Sequence, residues 1–352
     1  VQFSTGHVGV HTLRQIIEDP GLELVGVHAN SPGKIGKDAA ELCGLTGPTG
    51  VVATDDVASL VALAADCVVY TTQAETRPDK ALPEVLAFLE AGTNVVASSF
   101  VWLIHPDHAD EWLREPIAAA CRAGGSSMFV TGIDPGFSGD VLPLAALQLA
   151  QSATRVTVQE IFDYGTYDDA EFTGASMGFG FGPDADPPLM FLPGVLTSIW
   201  GGPVKVLARE LGVSLDEITE RVETWHTPEE IDCTMMTVPA GHVAAVRFAI
   251  QGISDGEVVI SLEHVNRLTE GAAPDWPYPP DGRPGVHRVV VEGRPGVEIN
   301  THVGLHGVDQ NEAGVISTGA KLVNAVRSVC AAPPGLLGVT DLPLSQAAGL
   351  VR

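Results

Sequence analysis

Apolar and polar positions in the first third of the chain follow two alternating rhythms. Short runs such as Asp66–Thr72 (Asp-Cys-Val-Val-Tyr-Thr-Thr) are apolar on both sides, as strands inside a parallel sheet are. Between them, apolar residues recur three and four apart, the spacing of a one-faced helix. His7–Glu18 has this spacing, with Val8, Leu13, Ile16 and Ile17 turned inward. The pattern predicts strands at Val1–Ser4, Leu22–Ala29, Val51–Ala53, Asp66–Thr72, Asn94–Ser98 and Met128–Thr131. It predicts helices at His7–Glu18, Asp56–Ala65, Pro78–Ala91 and Pro106–Gly124. A strand-helix-strand series of this kind argues an α/β fold, a doubly wound parallel sheet of Rossmann type.

The rhythm breaks at Gly132-Ile133-Asp134-Pro135-Gly136, which reads as the hinge into a second domain. After a helix at Val141–Gln151, strands dominate from Thr154 on. His242–Ile253 and Glu257–Leu268 flank Ser254-Asp255-Gly256, and Val286–Glu292 and Val297–Val303 flank Gly293-Arg294-Pro295-Gly296. Both are hairpin signals and predict an open, mostly antiparallel sheet. Leu189–Gly212 is expected to be helical, Ala272–Gly285 with its five prolines a loop, and Ala313–Ala331 a final helix ended by Pro333-Pro334. The division expected is 1–136 for the parallel-sheet domain and 137–312 for an α+β second domain, with 313–352 as a terminal helix and tail.

Composition narrows the function. The chain has 44 acidic and 19 basic residues among 352, a formal charge of −25, which argues against nucleic acid and anionic membrane as partners. No apolar run is long enough for a membrane helix. Five cysteines with no Cys-x-x-Cys pair read as buried free thiols of a reducing, cytoplasmic compartment. His105 with His108, and His302 with His306, lack further ligands nearby, so no metal is expected.

Ser4-Thr5-Gly6-His7-Val8-Gly9 stands between the first strand and first helix. It is the dinucleotide fingerprint with Ser for the first Gly. Gly6 admits a pyrophosphate to the backbone, Gly9 lets the helix pack against the sheet, and the helix N-terminus offers free N–H groups. The second strand ends in His28-Ala29-Asn30-Ser31, where an NAD site would carry an acid, and no acid follows until Asp38. Asn30 and Ser31, with Lys34 and Lys37 as cations, therefore favour the 2′-phosphate of NADP. Ligands of such sheets lie beyond the carboxyl ends of the strands, which brings in Thr71, Thr72 and Gln73, then Ser98, Ser99 and Phe100. In the second domain, Val258, Ile260, Leu262 and His264 alternate, so His264 faces the apolar side, as a core histidine or a proton donor. Tyr164 and Tyr167 precede a loop in which Phe172, Met177, Phe179 and Phe181 are candidates for an apolar substrate wall, and Trp102 is a further one.

The fingerprint, the segment Lys34–Asp38, the hinge Gly132–Phe137 and the C-terminal Asn324-Ala325-Val326…Cys330-Ala331-Ala332-Pro333-Pro334-Gly335-Leu336 together resemble the dihydrodipicolinate-reductase-like proteins. Within these the chain is most similar to the branch of 2,4-diaminopentanoate dehydrogenase and the native amine dehydrogenases of actinobacterial type. The resemblance implies a Rossmann domain and a second domain that forms a homodimer through its sheet. It also implies a last helix packed back on the first domain, Asn311 near the nicotinamide, and NAD(P)H-linked chemistry at C–N or C=N bonds. Amine dehydrogenases of this kind are expected to carry a glutamate just after the fifth strand. Here the stretch is Ser98-Ser99-Phe100-Val101-Trp102, so another carboxylate has to serve, with Asp134, Asp140, Asp163 and Asp168 as candidates. The leading expectation is reductive amination of a small, mostly apolar ketone. The alternatives are a carbonyl or imine reductase, with Tyr164, Tyr167 or His264 as acid, and a cofactor-binding sensor without turnover. A dicarboxylate substrate fits less well, because the second domain's cations are chiefly Arg155, Lys205, Arg247 and Arg267.

Overall fold

The computed structural model describes residues 1–347, apart from the side chain of Phe172. Its contacts divide the chain into two compact units, Val1–Gly136 with Val315–Arg352, and Phe137–Gly314.

In the first unit, β1 (Gln2–Phe3), β2 (Val27–His28), β3 (Ala53–Thr54), β4 (Cys67–Tyr70), β5 (Asn94–Ala97) and β6 (Ser127–Val130) alternate with helices. These are α1 (His7–Glu18), α2 (Ala39–Leu42), α3 (Val57–Val61), α4 (Pro78–Glu90) and α5 (Glu111–Gly124). The strands form one parallel sheet in the order 3-2-1-4-5-6, extended beyond β6 by a seventh strand from the far end of the chain, Gly335–Leu337. Both faces of the sheet are buried. Val68, Tyr70, Val95, Ala97, Met128 and Val130 meet Val85, Phe88, Leu113 and Ile117 of α4 and α5. Their neighbours Cys67, Val69, Val96 and Phe129 meet Ile16 of α1 and Leu322, Val323 and Val326 of the last helix. Period-two alternation across two apolar layers explains why these strands read as unbroken apolar runs. They are shorter than expected: only Val27–His28 of Leu22–Ala29 pairs, and the helix expected from Pro106 begins at Glu111.

The second unit holds α6 (Val141–Leu147), β7 (Ser152–Asp163), α7 (Ala175–Met177) and α8 (Val195–Leu211). Its strands continue with β8 (Glu217–His226), β9 (Ile231–Asp232), β10 (Thr237–Val238), β11 (Val243–Ser254), β12 (Glu257–Arg267), β13 (Gly285–Arg294) and β14 (Val297–Thr301). Six of them form a sheet ordered β14-β13-β7-β12-β11-β8, antiparallel except for the parallel pair β7 and β12. Both expected hairpins form, and Asp255 and Gly256 take the positive φ of 52° and 77° that the tight turn needs. β8 has no apolar alternation and was not legible as a strand; pairing along β11 makes it one. One face of the sheet packs Val158, Val246, Ile250, Leu262 and Val289 against Trp200, Val204 and Leu207 of α8 and Leu142 and Ala146 of α6. The chain ends in α9 (Gln310–Ala331), which begins in the second unit and finishes in the first, and β15 (Gly335–Leu337). The proline pair ends α9 as expected, yet the residues after it return to the parallel sheet.

Candidate active site

The fingerprint residues meet in the β1–α1 turn. Gly6 caps α1 with no side-chain hydrogen bond, so the cap residue itself does not close the N-terminus of the helix. A Cβ on Gly6 would meet only Ser4 Oγ at 3.7 Å, so the space over it is open. Gly9 is the opposite case: a Cβ there would fall on the Ser4 carbonyl and 2.9 Å from Thr71 Oγ1. Ser4 stands at φ 79°, a conformation that favours glycine, and so keeps the backbone shape of the fingerprint's missing first Gly. Thr5 is buried, while Gly6 and His7 are exposed and Val8 half-buried.

A polar network that sequence reasoning missed wires this turn from below. Gln2 is fully buried on β1; its amide donates to Ser4 O at 2.7 Å and to Thr71 Oγ1 at 2.9 Å, and it accepts from Thr12 Oγ1 at 2.7 Å. Thr71 donates in turn to Phe3 O at 3.0 Å. Its hydroxyl therefore holds the turn in shape.

At the end of β2, Asn30 and Ser31 are exposed, and Lys34 Nζ donates to Thr5 O at 2.5 Å, which brings a cation over the fingerprint. Lys37 is drawn instead to Glu41 at 2.6 Å, the i,i+4 partner one helical turn on. Asp38 caps α2; hydrogen bonds from the backbone N–H groups of Thr49, Ala40 and Gly50 hold its carboxyl down at about 2. The run that closes β2, His28-Ala29-Asn30-Ser31, carries no acid of its own, and His28 is buried and stacked on Phe3 at 3.9 Å.

Beyond β4 and β5, Thr72 and Ser98 are half-buried and Gln73 exposed, its Oε1 accepting from Thr76. Ser99 is 5 % exposed, and its Oγ has no partner among the described residues. Phe100 corrects the expectation. It is fully buried, at φ 62°, with its ring 6.0 Å from Tyr70, so its side chain belongs to the core and only its backbone is left to face a ligand. The turn that relatives are expected to furnish with a glutamate receives a carboxylate from the preceding loop: Glu75 accepts from Val101 N at 3.2 Å and from Ala74 N at 3.1 Å. Trp102 is half-buried edge-to-face with Trp112 at 6.2 Å. Asp134 lies in the segment Ile133–Phe137 that leads out of the first unit.

In the second unit, register builds one transverse row on the helix-covered face of the sheet. Phe248 of β11 pairs with His264 of β12, His264 with Glu160 of β7, and Glu160 with His287 of β13. Glu160 is a buried carboxylate. It accepts from Tyr164 Oη at 2.8 Å and Asn266 Nδ2 at 3.1 Å; His264 Nδ1 lies 3.6 Å and His287 Nδ1 3.9 Å away. Burial alone pushes this carboxyl up. The hydrogen bond and charge of His264, the charge of His287 and the Tyr164 hydroxyl outweigh it and hold Glu160 well below the ordinary glutamate range. His264 is clamped between Phe248, stacked at 4.5 Å, and Trp200 at 4.6 Å. Tyr167 lies 5.2 Å from Tyr164, and burial raises its hydroxyl to about 12.

Thus Tyr164 and His264 converge, on a glutamate the sequence reading passed over. Its signal was there: Val156, Val158, Glu160 and Phe162 alternate, which puts an acid on an apolar face. The other carboxylates are otherwise engaged or exposed. Asp140 caps α6, Asp163 accepts from Gly165 N at 2.7 Å, and Asp168 faces solvent. Asn311 donates to Asp163 O at 3.0 Å and Thr166 Oγ1 at 2.8 Å, which uses both amide hydrogens. It fastens the loop after β7. Met177 and Phe179 are 5 % and 2 % exposed and belong to the unit's core, where they were expected as a substrate wall. Phe172 lies outside the described side chains.

A first unit with a glycine turn at the start of its first helix, and a second unit whose sheet carries a buried acid–histidine–tyrosine cluster, define the two-domain Rossmann-fold dehydrogenases as the class. The comparisons with known proteins agree. Residues 200–350 match the family model described as the 2,4-diaminopentanoate dehydrogenase C-terminal domain. An amine dehydrogenase of Streptomyces virginiae is 39 % identical over 350 residues, 99 % of this chain and 97 % of that protein. The 2,4-diaminopentanoate dehydrogenase of Acetoanaerobium sticklandii is 24 % identical over 292 residues, 81 % of this chain and 75 % of that one. The fold matches the solved amine dehydrogenase of Mycobacterium smegmatis with a TM-score of 0.78 at 18 % identity, covering 98 % of this chain and 96 % of that one. The chain belongs to the amine dehydrogenase family.

Proposed function

We propose that this protein is an NADPH-dependent amine dehydrogenase that interconverts a small, mostly apolar ketone plus ammonia with the corresponding primary amine. The observation that carries the reading is Glu160, a buried carboxylate held anionic on the row with His264, His287 and Tyr164. A nicotinamide cofactor, when bound, supplies the hydride. The first unit supports it with the open α1 N-terminus for the diphosphate and Lys34 for a 2′-phosphate. Glu160 stabilises the cationic iminium formed when ammonia adds to the ketone and water leaves. His264 and Tyr164 carry the protons of those steps to and from that carboxylate. Reduction of an iminium quenches a cation already present and needs no proton in the same step.

The Tyr164–Glu160 hydrogen bond also favours a second reading, a carbonyl reductase in which Tyr164 protonates the alkoxide. Oxidation of NADPH measured over a ketone panel, with and without ammonia, separates them. Turnover that requires ammonia supports amine formation. Turnover without ammonia replaces it with the reductase. No turnover, with tight NADPH binding, leaves a sensor. The homodimer and the cytoplasmic location belong to the same proposal. Light scattering on the purified chain tests the dimer, and a single-chain mass rejects it.

A further inference from the structure

Far from the fingerprint, at the amino ends of the parallel strands, two cysteines of the first unit sit together. Cys67 is the first residue of β4 and is packed with Val326 and Val329 of α9. Cys330, in the last turn of α9, is exposed, and its Sγ lies 3.7 Å from the carbonyl of Asp66, the residue next to Cys67. The fold brings the two thiols close enough to influence one another, although they stand 263 positions apart in sequence.

We propose that Cys67 and Cys330 form a reversible disulfide, a redox modification site that fastens the end of α9 to β4. The environments divide the labour. The influence of Cys67 lowers the Cys330 thiol, which makes the exposed sulfur the nucleophile. The influence of Cys330 and burial raise the Cys67 thiol, which stays protonated until an oxidised partner stands beside it. With a peroxide as oxidant, the Cys330 thiolate attacks one peroxide oxygen and the O–O bond breaks. One oxygen leaves as water and Cys330 becomes a sulfenic acid. The Cys67 sulfur then displaces that hydroxyl, which leaves as water with the thiol proton, and the S–S bond forms. Two thiols are oxidised, and one hydrogen peroxide is reduced to two waters.

The element fastened matters to the rest of the unit. α9 lies along α1: Asn324 accepts from Gln15 at 2.8 Å, Arg327 reaches Asp19 at 2.6 Å, and a Cβ on Gly319 would stand 3.2 Å from Thr12. A covalent tie at its end therefore braces the helix that presents the fingerprint.

The test treats the full chain with hydrogen peroxide, blocks remaining thiols after unfolding, and maps peptides without reductant. The expected result is a cross-linked Cys67–Cys330 peptide pair that dithiothreitol reverses, with fully buried Cys121 still a thiol. In Cys67→Ser, or Cys67→Ala if the serine variant does not fold, dimedone should trap a sulfenic acid at Cys330. In Cys330→Ser, Cys67 should stay reduced. Hydrogen exchange in the last turn of α9 should slow on oxidation of the wild type. If both cysteines remain available to the blocking reagent after peroxide, or Cys330 accumulates as sulfinic acid with Cys67 present, the proposal falls.

Discussion

The two units solve recognition in opposite ways. In the first, the candidate site is one local turn: six consecutive residues, mostly backbone, positioned by the strand before them and the helix after. In the second, no two of the three residues Glu160, His264 and His287 share a strand, and Tyr164 alone is local to Glu160. A backbone turn tolerates drift in its neighbours, because its N–H groups are present whatever the side chains are. A carboxylate in a transverse row has no such tolerance. A one-residue slip of β7 against β12 would turn Glu160 to the other face of the sheet. The difference teaches where chemistry and where binding are exposed to mutation.

The comparison is broken most forcefully at Glu160. Glu160→Gln is expected to lower kcat/KM for amine formation by about 10²–10⁴ while NADPH binding, followed by fluorescence titration, stays as it was. A loss of cofactor affinity of similar size would mean that the two units do not divide the work as described. Next comes the turn. Gly6→Val should raise the Kd for NADPH roughly 100-fold, about 2.7 kcal/mol, with little change in Tm, because the added methyls meet a ligand and not the protein. Gly9→Ala should do the reverse, costing about 1–3 kcal/mol of stability by overpacking against Ser4 and Thr71.

Lys34→Glu sharpens the reading of the first unit at smaller scale. It should weaken NADPH roughly tenfold or more relative to NADH, the size of one charge-assisted hydrogen bond, whereas Lys37→Ala should leave the ratio unchanged. Equal effects of Lys34→Glu on both cofactors would remove the phosphate role.

The smallest expected effect is a pH dependence. The folded Glu160 carboxyl lies below its unfolded value, so its contribution to stability is fully present above about pH 4.5 and fades as pH falls through the folded value. Urea unfolding should show wild type losing on the order of 1–3 kcal/mol from this group in that acid range, and Glu160→Gln should lack that part of the slope. An identical slope in both would show the carboxyl to be unperturbed.

Legibility in the sequence followed the same division. The α1 boundaries, the parallel series and both hairpins could be read because local periodicity and turn residues specify them. Lys34 and Lys37 looked equivalent in sequence; only the presence of Glu41 one turn from Lys37, and of Thr5 under Lys34, distinguished them. Phe100 looked like a ligand-facing residue because it follows a strand end. Its left-handed backbone turns the ring back into the core, which no local pattern announces. β8 and β15 were missed because a strand with a partner already in place needs little apolar alternation of its own.

By itself, the amino-acid order determined the alternation of strand and helix in the first unit, the glycine turn and the want of an acid in the run after β2, since each depends on residues within a few helical turns of one another. Tertiary structure alone decided that Glu160, His264 and His287 stand in one row, that Gln2 braces the turn from beneath, and that Cys67 meets Cys330. Those pairings depend on strand register and helix packing across tens to hundreds of residues. They exist only once burial of the two apolar layers has set which strands lie side by side.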